Sequence, residues 1–282
     1  MKKISEKSKK TARNFVNILG VNVASIQERE VLTSVEDFIS HNDKFYIVTP
    51  NPELILMAQK NKTLRAALNS SDLPIADGVG LKVAAPGLKI IKGRNLFMSL
   101  IALAEKREWK VFFLWGFGLE ANLAAAKLKS VYPKLQIQTF KGPIFDDELN
   151  PISPVEGKLA EEAMRKINSY KPNILFVAFN NPKQEIWIHQ NLSKLNIGGA
   201  MAVGGTFRYV AGMSKLPPIW METLGLEWLY RLISEPYRAM RVYNAFFVFP
   251  LKVLWYGGKC VAGPVEFALN RSATGSQYSC NL

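Results

Sequence analysis

Four apolar residues in a row, Phe45-Tyr46-Ile47-Val48, stop abruptly at Thr49-Pro50-Asn51-Pro52-Glu53. A short run with no apolar/polar alternation fits a strand buried on both faces, and the Pro, Asn and Glu that close it fit a helix start. The pattern returns at Leu73-Pro74-Ile75-Ala76 before Asp77-Gly78-Val79-Gly80, and at Trp109 to Trp115 before Gly116-Phe117-Gly118. It returns again at Asn173 to Phe179 before Asn180-Asn181-Pro182, and at Gly199 to Val203 before Gly204-Gly205-Thr206. Strands of this kind are covered only if helices lie on both sides of a parallel sheet. The expected fold is α/β, a doubly wound, mostly parallel sheet spanning about residues 15–207.

Between these landmarks the spacing predicts one edge strand over Asn17 to Val23 and a helix from Ser25 to Ile39. A single helix follows from Glu53 to about Leu68, with Leu54, Met57, Ala58 and Leu64 inward. Val79 to Ala85 is helix-compatible until Pro86-Gly87, and longer helices are expected over Asn95 to Lys106, Glu120 to Val131 and residues 157–171, with Pro182 opening another. Residues 1–14, with Lys2, Lys3, Lys7, Lys9, Lys10 and Arg13 and no apolar stretch after them, read as a solvated basic arm. After the sheet the composition shifts. Pro217, Pro218, Trp220, Trp228, Pro236 and Trp255 alternate with Arg231, Arg238 and Arg241 over a helical appendage at 208–260, and 261–282 read as a loose tail.

The chemistry is expected at the strand C-termini, where turn groups and helix N-termini converge in an open α/β sheet. Thr49 brings a hydroxyl and Asn51 an amide. Asp77 brings a carboxylate, with Gly78 beside it to let a ligand near the backbone. Lys183 and Gln184 fall in the first turn of the helix after Pro182, and Gly205 and Thr206 in the last glycine turn. Each also has a structural reading, since Thr49, Asn51 and Asp77 can simply cap helices. Gly116, Gly118 and Ala121 match the dinucleotide fingerprint G-x-G-x-x-[GA], but the acidic residue expected at the end of the next strand is absent, because Leu135 to Phe140 runs into Lys141-Gly142. Phosphate binding by that turn fits better than nicotinamide binding.

Cys260 and Cys280 are the only cysteines and His41 and His189 the only histidines, which leaves little material for a zinc site or a Ser/His/Asp triad. Asp146-Asp147 lie in a polar loop after Gly142-Pro143 and read as surface residues; no metal site is expected. The net charge of +13 calls for an anionic partner. No Lys/Arg-rich recognition motif lies within the domain, so nucleic acid is not the expected one. The apolar runs flanking Pro250 are shorter than the about 20 residues that span a bilayer, and arginines on one face with aromatics on the other suit a helix lying in an anionic membrane surface. A helical pair packed on the core is the competing reading.

Four stretches together resemble the WecG/TagA/CpsF family of bacterial glycosyltransferases (glycosyltransferase family 26): Thr49 to Glu53, Ala76 to Gly80, Asn181-Pro182-Lys183-Gln184-Glu185, and Gly204-Gly205-Thr206-Phe207 leading to Gly225-Leu226-Glu227-Trp228-Leu229-Tyr230-Arg231-Leu232. The resemblance implies a Rossmann-like, GT-E-like domain with a membrane-engaging appendage, peripheral on the cytoplasmic face of the cell membrane. It implies an inverting transfer of an N-acetylmannosamine-type sugar from a UDP donor to a polyprenyl-diphosphate-linked N-acetylglucosamine, with no cofactor or metal. On that pattern Thr49, Asn51, Asp77 and Gln184 line the site, Asp77 is the general base, and Arg231, Arg238 and Arg241 meet the diphosphate. This chain departs from the family in Asn95, Asn180 and Arg208, where Asp, Gly and Asp are usual, and in lacking an Arg shortly before Gly93. A UDP-hexose or UDP-uronic acid donor is therefore an alternative, and a nucleotide-dependent oxidoreductase using the Gly116/Gly118 turn, or a non-catalytic basic module, are the others. A homo-oligomer with a shared site is compatible with all of them.

Overall fold

The computed structural model describes residues 15–215, 217–218, 220–221, 227–234 and 239–256. The arm at 1–14 and the tail at 261–282 lie outside the described residues. Six strands form one sheet: β3 (Phe45–Val48), β4 (Leu73–Pro74), β5 (Lys110–Trp115), β6 (Gln136–Lys141), β7 (Ile174–Ala178) and β8 (Gly199–Ala202), in the order β4-β3-β8-β7-β5-β6. Every pairing in it is parallel. All six strands therefore end at the same edge.

Side chains alternate between two cores. Tyr46, Val48, Phe112, Leu114, Leu175 and Val177 face one side, under α2 (Pro52–Lys60), α3 (Lys62–Asn69), α6 (Pro154–Tyr170) and α7 (Lys183–Asn191). Phe45, Ile47, Val111, Phe113, Ile174 and Phe176 face the other, under α1 (Glu28–Ser40), α4 (Gly93–Lys106), α5 (Glu120–Val131) and α8 (Thr206–Ala211). Burial on both faces is why these strands read as unbroken apolar runs. In the second core Phe97 of α4 lies 4.8 Å from Phe176 and 5.9 Å from Phe207, ring centre to ring centre, while Phe207 stacks on Phe113 at 4.5 Å. These rings fix the first turns of α4 and α8 against the sheet.

Several local expectations change. The segment expected as one edge strand is a hairpin, β1 (Phe15–Ile18) with β2 (Val21–Ala24), turned at Leu19-Gly20, whose φ values of 49° and 81° make the tight turn that two antiparallel strands need. Asn69 ties it down, accepting from Asn22 N–H and donating to the Gly20 carbonyl, both at 2.9 Å. The helix expected from Glu53 to Leu68 breaks at Asn61. That residue is extended and its side chain accepts from Leu64 N–H at 2.9 Å, so it ends α2 and caps α3. Val79–Val83 is a 3₁₀ turn, and Pro182 precedes α7 instead of opening it. The domain boundary expected after residue 207 falls inside α8, which packs along α5 and touches α4.

Of the appendage, α9 (Glu227–Ser234) and α10 (Ala239–Tyr243) are described, the latter running through a π turn at Asn244–Val248 into α11 (Phe249–Tyr256). Phe249 is fully buried in the first core, and α11 touches α2 and the 3₁₀ turn. The outer face keeps Tyr243, Phe247, Leu251, Leu254 and Trp255 exposed at helical spacing. No described helix is long and apolar enough to cross a membrane. If the Phe97 cluster holds the helix starts as described, Phe97→Ala will lower stability by about 3–5 kcal/mol, read as a lower urea midpoint at an unchanged m-value.

Candidate active site

Four adjacent strands, β4, β3, β8 and β7, deliver the expected residues to one edge of the sheet. Val48 pairs with Pro74, and just beyond the pairing Asp77 N–H donates to the Pro50 carbonyl at 2.9 Å, so the turns after β3 and β4 travel together. Their side chains meet at Gly93, the first residue of α4. A Cβ added there would stand 3.3 Å from Thr49 Oγ1 and 3.4 Å from Asp77 Oδ2. Hydroxyl and carboxylate thus face the N-terminal turn of a 14-residue helix, the positive end of its dipole. Both residues are half-buried.

Gly78 follows with φ 91° and ψ 130°, a conformation in which a Cβ would be strained, and this bends the chain into the 3₁₀ turn. Gly80 in that turn lies against Pro52 and near the Ala245 carbonyl, which brings the appendage to within one turn of Asp77. Asn51 is occupied by structure, its side chain accepting from Leu54 N–H at 2.9 Å as the cap of α2. Arg231 and Arg241 lie in α9 and α10, and Arg238 lies outside the described residues.

Gln184 is buried, 2% exposed, and clamps two turns together. Its Nε2 donates to Asn181 Oδ1 at 2.7 Å and to Glu185 Oε1 at 2.8 Å, while its Oε1 accepts from Gly204 N–H at 3.0 Å. The carboxamide can adopt only one orientation under those three contacts. Gln184 thereby sets the glycine turn that precedes α8, where Gly205 opens onto free space and Thr206 is buried with its hydroxyl on the Val203 carbonyl at 2.7 Å. Lys183 points elsewhere. Its ammonium donates to the Phe145 carbonyl at 2.8 Å and pairs with Asp147 at 3.3 Å, and Asp147 is a surface residue as expected. Asp146 organises its own loop, accepting from Glu148 and Asn150 N–H groups.

Two residues were not legible as site components. Gly93 matters only because α4 starts against Thr49 and Asp77. Glu185, 2% exposed, places a carboxyl inside the protein with Oε2 unpartnered among the described residues. Burial raises it to about 7 despite the hydrogen bond from Gln184, and its charge, after burial itself, holds the neighbouring Tyr46 hydroxyl above its usual range. That hydroxyl donates to the Glu185 main-chain carbonyl at 2.9 Å.

Gly116 and Gly118 stand apart from this group. They follow β5, four strand spacings from β4, or roughly 19 Å at the usual separation. Glu120 folds its carboxylate against Gly118, and Phe179 and the Pro143 carbonyl crowd Gly116, so the space a phosphate would need at this turn is filled by the turn's own acid. Among the described residues no three His, Cys, Asp or Glu side chains are grouped so as to hold a metal ion.

Over residues 16–260 the sequence matches the family described as "Glycosyl transferase WecG/TagA/CpsF family". A Bacillus spizizenii protein named N-acetylglucosaminyldiphosphoundecaprenol N-acetyl-beta-D-mannosaminyltransferase is 29% identical over 213 residues, 73% of this chain and 77% of the relative. A Staphylococcus aureus protein of the same name is 27% identical over 227 residues, 78% of this chain and 85% of the relative.

The buried acid makes a testable statement about pH. A folded-state value of about 7 against an ordinary 4.5 means that Glu185 supports the fold fully below about pH 4.5 and ceases to do so as pH rises through 7. Glu185→Gln lacks this loss, so the stability difference between variant and wild type should shift by about 3 kcal/mol in favour of the variant between pH 4.5 and 7.5, measured by urea unfolding.

Proposed function

The chain belongs to the WecG/TagA/CpsF family of glycosyl transferases, and from that we propose an inverting transfer of an N-acetylmannosamine-type sugar from UDP to a polyprenyl-diphosphate-linked N-acetylglucosamine, with Asp77 as general base. The observation that carries the proposal is the meeting of Asp77 and Thr49 at the first turn of α4. A carboxylate beside the N-terminus of a long helix puts a base and an anion-stabilising field within one site.

In the proposed reaction the acceptor hydroxyl gives its proton to Asp77 as its oxygen attacks the anomeric carbon. The bond from that carbon to the UDP oxygen breaks, the electron pair leaves with the diphosphate, and the configuration inverts. Thr49 orients the acid. Gly204 and Gly205, set by Gln184, leave an open turn for the donor, and the helix N-terminus together with Arg231, Arg238 and Arg241 meets the departing negative charge. Positive side chains and backbone N–H groups supply what a divalent cation supplies in other transferases. Lys183 and Asn51 act on this reading by shaping the loops, in keeping with their contacts to Phe145, Asp147 and Leu54.

The membrane enters through the acceptor. The relatives' name specifies an undecaprenol-linked substrate, and the exposed Tyr243, Phe247, Leu251, Leu254 and Trp255 of the terminal helix suit an interfacial seat beside the 3₁₀ turn. The enzyme then works as a peripheral protein on an anionic bilayer, drawn there by its +13 charge.

The first test is UDP release from a panel of UDP-sugars with a short-chain lipid-diphosphate N-acetylglucosamine acceptor. Turnover is expected with UDP-N-acetylmannosamine, and unchanged turnover in excess chelator. Asp77→Asn should lower kcat by about 10²-fold or more while UDP still binds. Near-wild-type turnover by that variant would remove Asp77 from the chemistry.

A further inference from the structure

Over residues 15–211 the exposure of large apolar side chains is one-sided. Within the described stretch 15–211 the large exposed apolar side chains are Val79 and Val83 after β4, Phe117, Leu119 and Leu123 after β5, Ile152 and Val155 after β6, and Val131. All but Val131 belong to segments leaving the C-terminal ends of strands. Val131 closes α5 at the opposite edge, where the other connections expose no large apolar side chain. Scattered apolar residues on a surface need no explanation, but confinement to one edge does.

The segment after β5 is the most pronounced of these. Phe117 is 74% exposed and Leu119 64%, and the backbone between them is held, not loose: Trp115 Nε1 donates to the Gly118 carbonyl at 3.0 Å and Gly118 takes φ 71°. The loop's one acid is withdrawn, since Glu120 turns its carboxylate back against Gly118 and its Oε2 is buried. A pinned turn that displays Phe and Leu while folding its carboxylate inward suits an apolar partner and does nothing for the protein's own core.

We infer that the Phe117-Gly118-Leu119 loop is a second membrane contact, which with the terminal helix turns the C-terminal edge of the sheet onto the headgroup–acyl boundary of the bilayer. This rests on the lipid-linked acceptor of the proposed function. The terminal helix lies against α2 and the 3₁₀ turn, next to Val79 and Val83, and so extends the same edge at its β4 end. The loop lies roughly 19 Å away across the strands, with the Asp77 and Gln184 turns between. One seated helix leaves the domain free to roll about its axis; a separate second contact removes that freedom. The site then faces the surface from which a diphosphate-linked sugar projects.

The test compares the full-length wild type with Phe117→Ser/Leu119→Ser, Phe117→Asp alone and Val131→Ser. Binding is read by sedimentation with phosphatidylglycerol/phosphatidylcholine vesicles, and turnover is read twice, with a short-chain acceptor in solution and with a long-chain acceptor embedded in the vesicles. The loop variants should bind vesicles at least about tenfold more weakly and lose turnover on the embedded acceptor in proportion, with soluble-acceptor turnover unchanged and Val131→Ser like wild type. Vesicle binding unaltered in the loop variants overturns the inference. So does an equal loss on the soluble acceptor, which would put the loop in the chemistry, or an equal loss in Val131→Ser, which would make the effect one of general surface hydrophobicity. Absence of transfer by the wild type on either acceptor would refute the transferase reading, while vesicle binding would still decide the loop.

Discussion

Because the six strands of the sheet run parallel and are buried on both faces, every crossover returns through a helix, and every strand ends at the same edge. That constraint gathers residues separated by more than 150 positions, from Thr49 to Thr206, along four neighbouring strand ends. The same geometry decides which polar groups can meet a ligand. Helix α4 starts against the turns that follow β3 and β4, and α8 starts just after β8, so the positive ends of both helix dipoles lie at that edge. The aromatic cluster of Phe97, Phe113, Phe176 and Phe207 keeps these helix starts in place. Packing in the second core and chemistry at the edge are therefore coupled.

Polar burial on the other side of the site follows a different logic. Gln184 uses both amide hydrogens and its oxygen to join the turn after β7 to the turn after β8, and it does so at the expense of leaving Glu185 inside the protein with one unpartnered oxygen. A buried acid of this kind opposes folding at neutral pH. Its retention beside Gln184 gives the clamp a strong acceptor for an amide that would otherwise be free to flip, with Asn181 fixing the second hydrogen. The structure thus accepts a local cost where the glycine turn must be held in one shape.

Solvent-facing surfaces divide along the same axis as the sheet. The edge that carries the candidate site also carries the exposed apolar residues of the loops and of the terminal helix, whereas the opposite edge exposes Val131 alone among the large apolar side chains of 15–211. On the proposed reading such an asymmetry has a use, because one substrate arrives from water and the other is confined to a plane.

The sequence by itself determined the fold class, since unalternated apolar runs closed by Pro, Gly and Asn have few architectures open to them other than a doubly wound parallel sheet. It also determined which residue types stand at the strand ends, because turn composition there is local; Thr49, Asp77, Gln184, Gly205 and Thr206 were all legible. Only the tertiary structure decided what those residues do with their atoms. Side-chain partnership depends on neighbours distant in the chain, so nothing local told Lys183, which turns to Phe145 and Asp147, from Gln184, which turns inward. The Gly116/Gly118 turn has the right spacing for phosphate, yet the carboxylate of Glu120 lies against Gly118. Asn61 and Leu19-Gly20 broke elements that periodicity alone joined, because side-chain caps and positive φ act over one or two residues, below the reach of a helical or strand repeat. Gly93 and Glu185 stood in the sequence only as members of family-like stretches: their place at the site comes from what α4 and α7 are packed against.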